Sequence, residues 1–361
     1  MRTPCLLLVT LCFAAALRAE TAYVNAPVAS KNEIDEVLVE GEYPGPGLWK
    51  VMRADDPNAH VLWIIAEPPP LPKKMKWKSN EIEEVVRGSQ EILLPSALVV
   101  KPDERIGFMK GMSLLPTALG ARKNPDKSKL KDVLPEELYG RWLALKRIYM
   151  PRDRGIERWR PIFAAEKLQG KAFSKSGFRN AEVVRSVVSR LAQQHQVKMT
   201  TPSLHFTFAT KTIKSSLKAF SREHLDDTEC FATTLELVEA VSDTETMSTR
   251  AHAWATADLE QLSAVSALPD PSHACAAAFL ASTIAQDIIP ADIATQMHAL
   301  WLDQAVKSLT ENASTLAVLP LSQLTSTNGY AAKLREKGYV VLEPGHTDAG
   351  GSQSAASSLF E

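Results

Sequence analysis

The chain is 361 residues long, 45% hydrophobic and 23% charged, with a formal net charge of −1 at pH 7. That is ordinary globular composition with ample core volume, enough for one large domain or two of usual size. It excludes a chain built as a whole to bind nucleic acid, because neutralising phosphates needs a clear basic excess.

Residues 1–19 read as a secretory signal peptide. Arg2 supplies the positive start, Cys5 to Leu17 is an apolar run, and Ala19 is a small residue for cleavage before Glu20. The run is shorter than the ~20 residues a spanning helix needs. No later run is apolar enough to span, so no integral membrane segment is expected after cleavage near Ala19. The expected location is periplasmic or secreted. Of the four cysteines, Cys5 and Cys12 leave with the leader. Cys230 and Cys275 then sit in an oxidising compartment, where two thiols allow one intramolecular disulfide. Two separate buried thiols are the alternative.

Residues 20–44 read as an exposed polar lead, turn-rich from Gly41. Leu48 to Arg53 alternates apolar and polar, as a half-buried strand does. After an Asp-Asp-Pro-Asn turn, His60 to Ala66 returns as a β-branched, aromatic strand, so the two form a hairpin. Pro68, Pro69, Pro70 and Pro72 stop it, since proline has no N–H for a ladder. They form a rigid loop, with docking as a polyproline segment the sharper alternative. Ser79 or Asn80 begins a helix that reaches Gly88, with Glu81, Glu83 and Glu84 in its first turns. Glu91 to Val100 reads as a third strand, bulged or at an edge because of Pro95. Leu98 to Gly120 reads as loop, and Asn124 to Asp132 as a charged connector.

From Pro135 almost to Asn312 the pattern is helical, with apolar residues at helical spacing such as Val184, Val187, Val188 and Leu191. Val197 to Met199 is a candidate short strand. Ser314 to Leu321 is again a buried strand. A polar loop (322–328), a short helix ended by Gly338 and a last strand, Tyr339 to Leu342, follow. The organisation is therefore a signal peptide (1–19), lead (20–44), N-terminal α/β half (45–122), helical insertion (123–312), C-terminal α/β half (313–344) and disordered tail (345–361). The fold class is α/β (α+β). Two strand–loop–helix–strand units, 61–100 and 314–342, form one sheet and are split by a large all-helical insertion. Both loops stand at carboxyl ends of strands, where α/β proteins place ligands.

The order Gly47-Leu48-Trp49-Lys50-Val51, Leu71-Pro72, Trp77 and the Glu91 strand resembles the opening of the TraB/GumN family. Glu229-Cys230-Phe231, Arg250-Ala251, Ala253-Trp254-Ala255 and Cys275 resemble the middle of its GumN-like branch. Trp301, Leu316-Ala317-Val318, Asn328-Gly329-Tyr330 and Gly338-Tyr339 resemble its close. The resemblance implies a Gly-x-x-His motif at the end of each strand and, from the Tiki proteins of that family, a metal-dependent protease. There histidines, acidic residues and arginine would hold a divalent transition metal and its water. This sequence departs from that set. Ala66 and Pro69 stand in the first Gly and His slots, and Pro95 in the acidic one. Pro320 and Gln323 stand in the second motif, and Met297 and His298 where an Arg-Asn pair is usual. Proline has no ligand atom and glutamine is a poor ligand for such metals.

Glu67 and His298 are the weak candidates for catalysis that remain, as a base and a displaced ligand. A capping carboxylate and a structural histidine are the plainer readings. His60, His195, His205, His224, His252 and His273 show no metal-pair spacing on a helix. Arg152, Arg154, Arg158 and Arg160 around Trp159 read as a solvated face, with an anionic partner as the sharper alternative. Ser272 and Ser322 have no triad context. The expectation is an exported, catalytically inactive member of that family. It would take no cofactor and bind a peptide or an envelope protein, with its oligomeric state open. The alternative is a metal-dependent peptidase or hydrolase with a rearranged site.

Overall fold

Leu48–Arg53 (β1) and Val61–Glu67 (β2) form the expected antiparallel hairpin, with Leu48 opposite Ile65 and Met52 opposite Val61. The structure, a computed structural model, describes residues 45–345 except 56–59, 68–69, 74, 180–181 and 265–267. The segment read as a signal peptide (1–19), the whole lead (20–44), the tail beyond Gly345 and Pro69 lie outside the described residues.

The remaining strands are Leu71–Pro72 (β3), Glu91–Leu93 (β4), Ala97–Pro102 (β5), Phe178–Arg179 (β6), Lys198–Thr200 (β7), Ser203–Phe208 (β8), Ser314–Pro320 (β9) and Tyr339–Leu342 (β10). Among the described residues the main sheet has the order β10-β1-β2-β9-β4-β7. β2, β9, β4 and β7 run parallel to one another, and β1 is antiparallel to both β2 and β10. The two α/β units thus share one sheet, and the second inserts its strand between the two strands of the first.

The principal helices are Asn80–Gly88 (α1), Phe108–Ala121 (α2), Leu130–Val133 (α3), Glu136–Tyr149 (α4), Pro161–Ser176 (α5), Glu182–His195 (α6), Ile213–Arg222 (α7), Thr228–Ser242 (α8), Thr244–Ala255 (α9), Leu259–Ala264 (α10), Ser272–Leu280 (α11), Thr283–Gln286 (α12), Ile293–Glu311 (α13), Leu321–Thr325 (α14) and Tyr330–Glu336 (α15). Alternation along the strands separates two apolar layers. Ile65, Leu316 and Val318 face α1, α6 and α9. Leu62, Ile64, Ala317 and Leu319 face α13 and α15. A third core, around Trp142, Leu168 and Phe231, belongs to α4, α5 and α8.

The mixed α/β class holds, and several local readings need correction. The third strand splits at Pro95, which has no N–H to continue a ladder. β4 stays in the main sheet, and β5 leaves it to pair in parallel with β8. Residues 98–120 are not loop. They hold β5 and α2, whose glycines and interior Pro116 hide the helical pattern. The segment 322–328 begins with α14 rather than loop. The middle region also carries strands, and β7 extends the main sheet beside β4. Cys230 and Cys275 are disulfide-bonded, their Cα atoms 4.5 Å apart, joining α8 to α11.

Arg160 is not on a solvated face. It is 1% exposed and donates to the carbonyl oxygens of Ala121, Phe220 and Glu223, with its guanidinium over the Phe220 ring. Beside it, Asp227 accepts from the Ile162 N–H and so caps α5 from another element. Burial, against the pull of that N–H and of Arg160, pushes the Asp227 carboxyl up to about 6. A folded-state value raised above the unfolded one gives stability that is full below about pH 4 and lost as pH rises through about 6. The loss attributable to Asp227 is roughly 3 kcal/mol. Urea unfolding at about pH 4 and about pH 6.5 should show this decline in the wild type and a smaller one in Asp227→Asn. Equal slopes would refute the assignment.

Candidate functional site

β2 and β9 end side by side, with Glu67 the register partner of Pro320. Beyond these ends lies a cleft of about 990 Å³. It is walled by Glu67 and Pro70 after β2, Arg185 of α6, Arg250 of α9, Pro320 to Ser322 after β9, and Arg335 and Glu343 around α15. Trp49, Leu259, Leu262 and Leu268 add apolar surface, and Asp270 and Ser272 close another side. Sequence placed the site at two strand ends, and parallel pairing makes them one place. The two close because β9 lies directly against β2.

Each strand end is shaped by local packing. Ala66, in the first glycine slot, is buried, and its carbonyl accepts from the Trp254 indole N–H at 3.3 Å. Trp254 is held edge-on by Trp77, with ring centroids 5.6 Å apart. At the second end, Gly329 lets α15 begin against α14. A Cβ there would stand 2.5 Å from the Gln323 carbonyl oxygen, so only glycine fits.

Glu67 is the buried carboxylate of the cleft, 7% exposed, with Arg185 Nη2 at 3.0 Å from Oε1. Burial raises its pKa, and the charge and hydrogen bond of Arg185 offset part of that rise. Arg250 also faces the cleft from a buried position, and burial lowers its pKa. The sequence reading used Arg250 only as a mark of resemblance. A lone cation in the run Arg250-Ala251-His252-Ala253-Trp254-Ala255 was the available signal. Arg335 pairs with Glu343 at 3.4 Å on the opposite wall. The charged lining is balanced, with Glu67, Asp270 and Glu343 against Arg185, Arg250 and Arg335.

His298 is elsewhere. Its ring stacks on Tyr330, 4.3 Å away and nearly parallel, beside Trp301. Burial, and secondarily Lys333, lowers its pKa. Tyr330 and Trp301 belong to the layer under α13 and α15, whereas Glu67 extends toward Arg185 of α6 on the other face. The sheet separates the two candidates. Gln323 is exposed on α14 and does not line the cleft.

A divalent transition metal does not fit these residues. Ala66 and Pro320 bring no side-chain donor, and the buried carboxylate is tied to a guanidinium whose charge opposes a cation. Among the described residues no group of three His, Cys, Asp or Glu side chains converges on one point. Among the described residues no helix is long and apolar enough to cross a membrane. In comparisons with known proteins, residues 47–342 match the family model described as the TraB/PrgY/gumN family. No curated protein and no solved structure matches the chain.

Proposed function

Because the chain belongs to the TraB/PrgY/gumN family, we propose that it keeps that family's strand-end cleft and uses it to bind a peptide or a protein segment without cleaving it. The observation that carries this reading is the Glu67–Arg185 ion pair, which ties up the cleft's buried carboxylate beside a partner strand ending in proline. A carboxylate held by a guanidinium serves poorly as a metal ligand. With Arg250 and Arg335 it supplies the few placed polar groups that give an apolar cleft its orientation and specificity. An exported scaffold for an envelope protein is the biological form of this reading.

The test joins binding, cleavage and metal content. Purified protein should bind members of a labelled peptide library saturably, without change in chelator and without new fragments by mass spectrometry. Arg185→Ala should weaken that binding about tenfold, the loss of a charge-assisted contact worth ~1.4 kcal/mol. The competing reading is a metal-dependent peptidase with a rearranged site. It would be favoured by about one tightly bound metal per chain together with chelator-sensitive cleavage, and that outcome would falsify the scaffold.

A further inference from the structure

Away from the cleft, β5 and β8 run parallel, and each leads into a helix, α2 and α7. Parallel strands place the starts of both helices at the same end. Asp103 locks them there. Its N–H donates to the Phe208 carbonyl at 3.0 Å, and its carboxylate accepts from the Thr210 N–H and hydroxyl at 2.9 and 2.8 Å. Two surfaces that are far apart in sequence are thereby made neighbours.

The first is apolar. Phe108, Met109 and Met112 in the opening turns of α2 are 80%, 79% and 52% exposed, far beyond the scatter of single apolar residues on a surface. The second is cationic. Helix α7 buries Ile213, Leu217 and Phe220 and turns Lys214, Lys218 and Arg222 to solvent along one face, with the exposed Lys211 in the turn just before it. No Asp or Glu lies between Ala209 and Arg222, and the Glu223 carboxylate is engaged by the Thr283 N–H and hydroxyl. Lys101 and Arg105 add charge beside the apolar tip, against two neighbouring exposed carboxylates, Asp103, which is engaged by Thr210, and Glu104.

We propose that this end of the molecule is a docking surface for an anionic lipid bilayer. Phe108, Met109 and Met112 enter the interface while the α7 lysines meet the headgroups. Charge complementarity selects this occupant. Protein–protein interfaces are depleted in lysine, whereas lysines flanking an apolar tip are drawn to anionic headgroups. The tip also projects from the first turns of a helix, a shape that inserts rather than receives. This surface is independent of the cleft, so neither reading depends on the other.

The test is co-sedimentation of residues 20–361, which include the whole described fold and omit the apolar leader. The vesicles are phosphatidylcholine alone or with about 25% phosphatidylglycerol. The protein should pellet with the anionic vesicles and stay free of the neutral ones. Binding should fall as ionic strength rises from about 0.05 to about 0.5 M. F108S/M109S and K211E/K214E should each weaken partition about tenfold or more. All four positions are exposed, so both variants should keep the wild-type circular dichroism and melting. No pelleting, equal pelleting with both vesicles, or unchanged partition of either variant would overturn the proposal. So would self-association in sedimentation velocity that F108S/M109S abolishes, because a second copy would then cover the tip.

Discussion

Arg160→Met is expected to lower the unfolding free energy by about 3–5 kcal/mol, the usual cost of removing one partner from a buried, hydrogen-bonded charge. The reason is the number of backbone groups that depend on one side chain. Ala121 ends α2, Phe220 lies in the last turn of α7, and Glu223 follows it. Carbonyls at helix ends lack intrahelical donors. Nε meets the Ala121 oxygen at 2.9 Å and Nη1 the Glu223 oxygen at 2.8 Å, with Nη2 on Phe220. Methionine fills much of the volume but donates nothing, so these carbonyls stay buried without that donor. It also removes the cation beside Asp227. Lysine has one nitrogen and cannot span the same acceptors, so Arg160→Lys should recover only part of the loss. Urea unfolding measures the total, and hydrogen exchange should show α7 opening first. A change under about 1 kcal/mol would mean that the carbonyls find other donors. Because Arg160 ties α2 and α7 together, its loss should also weaken the proposed lipid-facing end.

Removing the disulfide is the second large effect. Cys230 and Cys275 are 45 residues apart, and closing a loop of that length restricts the unfolded chain by about 4 kcal/mol in the chain-entropy account. The bond joins the buried start of α8, where Cys230 is 1% exposed, to the outlying α11. Cys230→Ala with Cys275→Ala should lower the melting temperature by roughly 6 °C for a chain of this size. Non-reducing peptide mapping should recover the two residues linked. Melting that reductant leaves unchanged, with both thiols free to alkylation, would sink the assignment.

Much of the fold was legible because local pattern and local structure share a cause. Alternation in Leu48 to Arg53, the β-branched run from His60 to Ala66 and the apolar run from Ser314 to Leu321 each become strands whose apolar residues face a core. Gly338, with φ near +89°, ends α15 where a left-handed residue is needed. The reading failed where composition and period disagreed. In α2, glycines, an interior proline and exposed methionines mask a helix whose stability comes from packing on α7.

The candidate site divides in the same way. The sequence marked two strand ends as a place for a site, with Glu67 as a weak candidate there, and left Cys230 and Cys275 to pair or stay free, of which the structure shows the pair. Only the tertiary structure decided that β9 lies between β2 and β4, that Arg185 and Arg250 turn into the cleft, and that His298 is on the far side of the sheet. It also decided that α2, which carries Phe108, packs against the lysine-bearing α7. Periodicity records which face of an element is buried. It does not record which element covers that face, because strands and helices hundreds of residues apart are matched by the free energy of the whole assembled core.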